Sequence, residues 1–151
     1  MPYTNIKDKM ANVKKCQDML KAKKLCLLCW DDSGGRTHCD LCRKKIADRR
    51  RRRKQVVIDT YGGKCKCCGI SNFEFLSIDH INNDGAKDRQ QGITSQKLIT
   101  KIIRDGFPDL YQVLCYNCHL ALSYFGFCPH HPEVHRPRAL DGRRRRGKSN
   151  G

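Results

Sequence analysis

Four cysteines in two C-x2-C pairs are the sequence feature that most constrains the fold of this 151-residue chain. The pairs are Cys65 with Cys68, and Cys115 with Cys118. Two such pairs bind one zinc ion tetrahedrally, and four thiolates leave no open coordination position. The spacing therefore predicts a closed structural zinc site that brings two distant segments of the chain together.

A second set of pairs with the same spacing lies nearer the N-terminus. These residues are Cys26, Cys29, Cys39 and Cys42. They predict a second structural zinc ion, in a knuckle of the zinc-ribbon or treble-clef-like kind. Only 38% of the residues are hydrophobic, so small units of this chain need crosslinks to be stable.

The compartment decides whether these cysteines bind metal or form disulfides. The lysine-rich N-terminal segment has no apolar stretch of the signal-peptide kind, so we expect an intracellular protein whose paired cysteines bind zinc. No apolar run approaches the ~20 residues that a bilayer-spanning helix needs, so we expect no membrane partner.

The net charge of +16 is unevenly distributed. Residues 43–64 hold 10 basic and 2 acidic residues, whereas residues 65–128 hold 6 of each. The basic segment contains an unbroken run formed by Arg49, Arg50, Arg51, Arg52 and Arg53. Such a run predicts contact with nucleic-acid phosphates, and a solvated charged face is the alternative interpretation.

Apolar periodicity predicts several helices and strands. We expect helices over residues 5–24, with Cys16 buried on the apolar face, over 43–61, ended by Gly62 and Gly63, and over 95–104, capped by Thr94 or Ser95. A short helix should follow Cys118. Strands are predicted over 76–80 and 111–114, with a polar loop over 81–88.

Three residues placed around the second zinc-binding set are candidates for chemistry. Asp79 and His80 end the first predicted strand, and His119 directly follows Cys118. A carboxylate and an imidazole can bind a divalent metal, and a second imidazole can act as a general base near neutral pH. Although an isolated Asp-His pair is usually just a polar surface feature, this combination predicts a phosphodiesterase that cuts nucleic acid.

The order strand, Asp-His, loop, strand, C-x2-C-His, helix resembles the ββα-metal core of HNH endonucleases over about residues 55–131. The segments GGKCKCCG, LSIDHINNDGAKDR and QVLCYNCH look like those of phage and phage-associated HNH proteins. The resemblance implies a small α+β fold. Its zinc-stabilised, treble-clef-like nuclease core would follow an N-terminal zinc knuckle and a basic linker helix.

The resemblance also implies roles for single residues. His80 would be the general base, while Asp79 and His119 would hold Mg²⁺ or another divalent ion. The family pattern has an asparagine before the second cysteine pair, near Asp109-Leu110, and neither of these is asparagine. We expect Asn82 or Asn83 to orient the base instead.

These expectations divide the chain into five segments. They are an amphipathic helix (1–24), a zinc knuckle (25–42), a basic linker helix (43–64), an HNH nuclease domain (65–131) and a basic disordered tail (132–151). The expected partner is double-stranded DNA, either alone or within a phage DNA-processing complex, and the oligomeric state stays open. The alternative function is a non-catalytic, zinc-dependent nucleic-acid-binding protein.

Several residues near the candidate site receive other interpretations. Cys67 is interpreted as a bystander within its knuckle. Cys128, His130 and His131 could complete another metal site or contact DNA, but a packed C-terminal turn is favoured. Asp84 and Asp88 are interpreted as acids that cap the loop rather than as metal ligands.

Overall fold

The computed structural model describes residues 6–135, and it shows a small α+β protein with two short antiparallel sheets. The helices are α1 (Ile6–Ala22), α2 (Asp40–Thr60), α3 (Gly85–Gln90), α4 (Ser95–Arg104) and α5 (Tyr116–Phe125). The strands are β1 (Leu76–His80), β2 (Tyr111–Cys115), β3 (Phe127–Cys128) and β4 (His131–His135). Two compact units, residues 1–51 and 52–151, divide the chain within α2.

The first unit contains α1, the N-terminal cysteine knuckle and the beginning of α2. The predicted N-terminal helix is confirmed, but its apolar face is largely exposed. Leu20 is buried, whereas Met10 and Val13 are more than half exposed. The predicted burial of Cys16 is wrong, because this thiol is exposed.

The basic helix is confirmed, and it begins earlier than the sequence pattern predicted. It starts at Asp40, whose carboxylate accepts a hydrogen bond from Arg43. The negative charge of this carboxylate is stabilised by the positive end of the helix dipole. Cys42 therefore lies in the first helical turn. The helix ends before Gly62 and Gly63, which adopt the left-handed conformation that glycine favours.

The second unit is organised around the antiparallel pair of β1 and β2, which is called the hairpin here although α3 and α4 lie between its strands in the chain. Both predicted strands are confirmed, with Leu76 opposite Cys115 and His80 opposite Tyr111. One core cluster includes Ile58, Leu76 and Leu114. Four of its nine buried members are cysteines, namely Cys65, Cys115, Cys118 and Cys128. A core this rich in thiols depends on more than apolar burial for its stability.

A second core cluster packs α4 near the end of the hairpin. Ile99 and Ile102 of α4 are buried with Val57 and Tyr111, as the apolar stripe predicted. Thr94 caps the helix by accepting a hydrogen bond from the backbone N–H of Lys97.

The region between β1 and α4 departs from the prediction. The expected polar loop over 81–88 is wrong in part, because α3 begins at Gly85. This helix has six residues and none of them is buried, so it has no apolar periodicity that the sequence could reveal.

The predicted short helix after Cys118 is confirmed as α5. It begins in the second cysteine pair, and Gly126 ends it in a left-handed conformation. The chain then reverses into the β3–β4 hairpin. Strand β4 includes residues 132–135, which were predicted to belong to the disordered tail, and the rest of that tail lies outside the described residues. Among the described helices, none is long and apolar enough to cross a membrane.

Candidate metal centres and active site

The two cysteine pairs of the second unit converge as predicted. The ligand atoms of Cys65, Cys68, Cys115 and Cys118 all lie within 4.8 Å of one another. The sulfur atoms of Cys68 and Cys115 are 3.6 Å apart, close to the ~3.8 Å between neighbouring sulfurs of a tetrahedral zinc site with Zn–S bonds of about 2.3 Å. These residues therefore fit a structural zinc ion.

The structure of α5 is tied to this site. Cys115 occupies the N-cap position, and its sulfur accepts a hydrogen bond from the backbone N–H of Cys118 at 3.5 Å. A thiolate ligand thus takes the capping role that serine or aspartate has in other helices. The first turn of α5, which carries His119, is positioned by the cysteine site.

The N-terminal pairs also converge. Cys26, Cys29, Cys39 and Cys42 have ligand atoms within 4.8 Å of one another. The sulfur atoms of Cys29 and Cys39 are 3.4 Å apart. All eleven cysteines of the chain are free thiols, so these groups can bind metal without first breaking a disulfide.

The electrostatics of both groups favour a cation. Burial raises the pKa of Cys26 and Cys65, but backbone N–H groups that donate to their sulfurs outweigh it and lower the pKa to about 6 and about 7, respectively. Burial raises the pKa of Cys118, and contacts with neighbouring thiols raise it further. One thiolate forms readily and a second next to it does not, unless a divalent cation compensates the charge.

The first candidate catalytic feature is a pair formed by Asp79 and His119. The Nε2 atom of His119 lies 3.4 Å from Oδ1 of Asp79. The carboxylate is almost fully buried, and its other oxygen accepts a hydrogen bond from the Gln112 amide at 2.8 Å. The His119 side chain is 32% exposed, so a ligand can approach the pair from solvent.

Ser77 contacts the ring nitrogen of His119 that faces away from Asp79. The Ser77 hydroxyl donates its single proton to the backbone oxygen of Leu114 at 3.0 Å, and Oγ also lies 3.0 Å from Nδ1 of His119. When the imidazole is protonated, Nε2–H donates to Asp79 and the two side chains form an ion pair. When the imidazole is neutral and Nδ1–H donates to Oγ, the lone pair is on Nε2 and faces the Asp79 carboxylate, as a metal ligand requires.

This arrangement fits a divalent metal ion. Adjacent ligands of an octahedral ion, at 2.0–2.1 Å from the metal, lie about 3 Å apart, and the separation between Nε2 and Oδ1 is 3.4 Å. A hydrogen bond to the far nitrogen of a ligating histidine is the usual way to fix its tautomer and ring orientation. Asp79 and His119 could therefore hold two coordination positions and leave the others open.

The second candidate feature is an Asp-His pair that the sequence analysis missed. Nε2 of His80 lies 3.0 Å from Oδ2 of Asp88, and both side chains are 16% exposed. Burial raises the pKa of Asp88, but the hydrogen bond with His80 and the charge of Lys101 outweigh it and hold that pKa below its ordinary value of 3.8. A carboxylate that binds Nε2–H leaves Nδ1 with the lone pair.

Asp88 contacts Nε2 of His80, and the expectation that Asn82 or Asn83 orients the base stays a prediction. Asn82 is exposed in the turn after β1, and Asn83 has a left-handed backbone conformation there. The interpretation of Asp88 as a loop-capping acid is wrong, because its carboxylate contacts His80 and Lys101. Only the fold of α3 reveals this contact, since the two residues are eight positions apart.

Asp79 and His80 lie on opposite faces of the hairpin. Asp79 is opposite Gln112 and contacts its side chain, whereas His80 is opposite Tyr111, with ring centroids 5.0 Å apart. Consecutive strand residues alternate between faces. The structure therefore brings Asp79 and His119 together, but places the His80 side chain on the other face at the same end of β1.

The five consecutive arginines lie in the middle of α2. Arg49, Arg50, Arg51 and Arg52 are exposed, and Arg53 is partly buried. Five consecutive residues are spread around all sides of a helix, so the run presents positive charge in several directions.

Comparisons with known proteins give no independent assignment. The chain matches no protein-family model, and no curated protein or solved structure is significantly similar to it. The resemblance to HNH endonucleases therefore depends on the motifs themselves and stays a prediction.

A third group of possible metal ligands includes Cys128 and His130, for which another metal site was the less favoured interpretation. Cys67, Cys118, Cys128 and His130 have ligand atoms within 4.8 Å of one another. Cys67 was interpreted as a bystander, and the segment after β3 as a packed turn. The available signals were the extra cysteine between Cys65 and Cys68 and the Cys-Pro-His sequence at 128–130. The separation of these two segments along the chain matches no standard ligand spacing.

Proposed function

We propose that this protein is a metal-dependent DNA endonuclease of the HNH type. The observation that carries the proposal is the pairing of Asp79 with Nε2 of His119 at 3.4 Å, on a helix and a hairpin joined by a four-cysteine site. The order of a cysteine pair, two antiparallel strands, a second cysteine pair and a helix supports the same family. Structural zinc ions would occupy the cysteine groups, and Mg²⁺ or a similar ion would bind at Asp79 and His119.

The proposed reaction is hydrolysis of a phosphodiester. Nδ1 of His80 takes a proton from water, the water oxygen attacks phosphorus, the bond from phosphorus to the 3′ oxygen breaks, and the departing oxygen takes a proton from solvent. Asp88 holds the imidazole in orientation through Nε2. A divalent ion bound by Asp79 and His119 would stabilise the charge that develops on the phosphate and the departing oxygen.

The opposite orientation of Asp79 and His80 limits where the substrate can bind. Both residues are at the C-terminal end of β1, and the strand ends directly after them. The proposal requires the scissile phosphate to lie across this end of the hairpin, where it can meet a metal ion from one face and the imidazole from the other.

The placement of Asp79 and His80 on opposite faces of the hairpin also favours a second function, namely a non-catalytic zinc protein that binds nucleic acid. In that case the contact of His80 with Asp88 and Tyr111 is structural, and the exposed arginines of α2 supply the affinity. This alternative predicts DNA binding without cleavage.

The deciding experiment is cleavage of supercoiled plasmid by the wild-type protein and by His80→Ala, with Mg²⁺, Mn²⁺ or EDTA. We expect nicked or linear product that requires both the metal and His80, while zinc content and gel-shift affinity stay unchanged in the variant. Cleavage that survives His80→Ala would refute the assigned base. Binding without cleavage under every metal condition would support the non-catalytic function.

A further inference from the structure

The most informative unassigned feature is a cysteine that belongs to two ligand groups at once. Cys118 is grouped with Cys65, Cys68 and Cys115, and also with Cys67, Cys128 and His130. It is fully buried, so water cannot readily complete the coordination of an ion bound at this sulfur.

The second of these groups has distances that suit a metal ion. Nδ1 of His130 lies 3.5 Å from the sulfur of Cys118 and 3.2 Å from that of Cys128. A tetrahedral zinc ion, with Zn–N of about 2.0–2.1 Å and Zn–S of about 2.3 Å, places such a pair of ligand atoms about 3.6 Å apart. The set of three cysteines and one histidine is a common composition of structural zinc sites.

The fold brings these ligands together through two tight reversals of the chain. Gly69, in a left-handed conformation, follows the knuckle that contains Cys67, and Gly126 turns the chain from α5 into the β3–β4 hairpin. The imidazole Nε2–H of His131 donates to the backbone oxygen of Cys67 at 3.0 Å. The hairpin is thereby held against the knuckle, with Cys128 and His130 next to Cys118.

We propose that the second unit binds two zinc ions that share the Cys118 thiolate as a bridging ligand. One ion is bound by Cys65, Cys68, Cys115 and Cys118. The other is bound by Cys67, Cys118, Cys128 and His130. A thiolate sulfur has several lone pairs, so it can bind two ions, and each ion then has four protein ligands without water.

The bridged pair would explain the unusual core of this unit. Four of the nine buried residues in its main cluster are cysteines, and a small core of this kind requires crosslinks. The second ion would fasten the C-terminal hairpin to the knuckle and to the first turn of α5. This proposal does not depend on nuclease activity, because it concerns metal content alone.

The first test is the zinc stoichiometry of the purified full-length protein, by native mass spectrometry and elemental analysis. The three ligand groups predict three zinc ions per chain. The double variant Cys128→Ser/His130→Ala should lose one ion. The matched control Cys16→Ser, which removes an exposed thiol outside all three groups, should keep all of them. Two ions in the wild type, or no loss in the double variant, would overturn the second site.

The second test addresses the bridge and uses the wild-type protein, so it does not depend on the folding of a variant. Zinc is replaced by a magnetically active cadmium isotope, and the cadmium NMR spectrum is recorded. We expect one isolated resonance from the N-terminal knuckle and two resonances with mutual scalar coupling through Cys118. Resonances without such coupling would rule out the shared thiolate.

Discussion

Nε2 of His119 lies 3.4 Å from Oδ1 of Asp79, while Nδ1 of the same ring lies 3.0 Å from the hydroxyl oxygen of Ser77. In the proposed function, Asp79 and His119 are the ligands of a divalent ion, and the contact with Ser77 orients the histidine ring for that role.

Replacing Ser77 with alanine tests this pre-orientation. The variant removes the hydrogen-bond partner of Nδ1 of His119, so we expect metal affinity to fall by about 10- to 100-fold. The readout is the Mn²⁺ concentration that gives half-maximal plasmid cleavage. Removing the hydrogen bond to Leu114 should also cost about 1 kcal/mol of stability. Ser123→Ala, an exposed serine of α5, is the control, and an unchanged Mn²⁺ requirement in Ser77→Ala would contradict the assignment.

Asp88→Asn tests the orientation of His80. We expect the cleavage rate to fall by at least about tenfold, within the ~10²- to 10⁴-fold that a positioned general base supplies. The pKa of Asp88 is held below 3.8, so its interaction with His80 is fully present above that pH and disappears only as the pH falls through the lower folded-state value. Protonation of Asp88 therefore contributes nothing to the deficit between about pH 6 and pH 8.

The control for this prediction is Asp84→Asn, which changes a nearby acid that makes no side-chain cap hydrogen bond to α3. It should cleave at the wild-type rate. A wild-type cleavage rate in Asp88→Asn at neutral pH would show that this carboxylate does not position the base.

Gly85→Ala tests the space beside the proposed base. A Cβ atom at position 85 would lie 2.9 Å from Nδ1 of His80, which is too close, so the ring that Asp88 holds would have to move. Displacement of a reacting group by about 1 Å can cost ~10²-fold in rate, and we expect a loss of about tenfold or more with unchanged zinc content. Gln90→Ala, at an exposed position of the same helix, should be active. Full activity of Gly85→Ala would show that Nδ1 is not the reacting atom.

Replacing the five arginines at 49–53 with glutamine tests the role of α2 in binding. We expect affinity to fall uniformly across DNA sequences, and the slope of log affinity against log salt to decrease by about 0.9 for each phosphate that the helix no longer neutralises. The control removes the same charge elsewhere, through glutamine at Lys9, Lys14, Lys15, Lys21 and Lys23, all exposed. An equal effect in both variants would show that net charge matters rather than this helix, and a weakening confined to one sequence would indicate base recognition.

Much of the local structure could be predicted because its signals are local. The apolar stripe of α4, the alternation in β1 and the glycines after α2 depend on neighbouring residues, and all appear in the structure. The C-x2-C pairs were equally informative, since a thiolate pair of this spacing folds around a metal ion in many contexts.

The features that were missed depend on distant contacts. Helix α3 has no buried residue, so no periodic pattern indicates it, and the contact between Asp88 and His80 exists only because α3 folds back onto the end of β1. The opposite orientation of Asp79 and His80 follows from a strand that continues through both residues.

The order of residues along the chain was enough to predict most of the helices, the β1–β2 hairpin and the two four-cysteine groups, because periodicity and paired spacing act over a few residues. Three relationships emerged from the folded chain alone: which carboxylate contacts His80, which nitrogen of His119 faces Asp79, and that Cys118 adjoins Cys128 and His130. They join residues from separate turns, strands and helices, and their distances are set by how the hairpins pack rather than by any spacing along the chain.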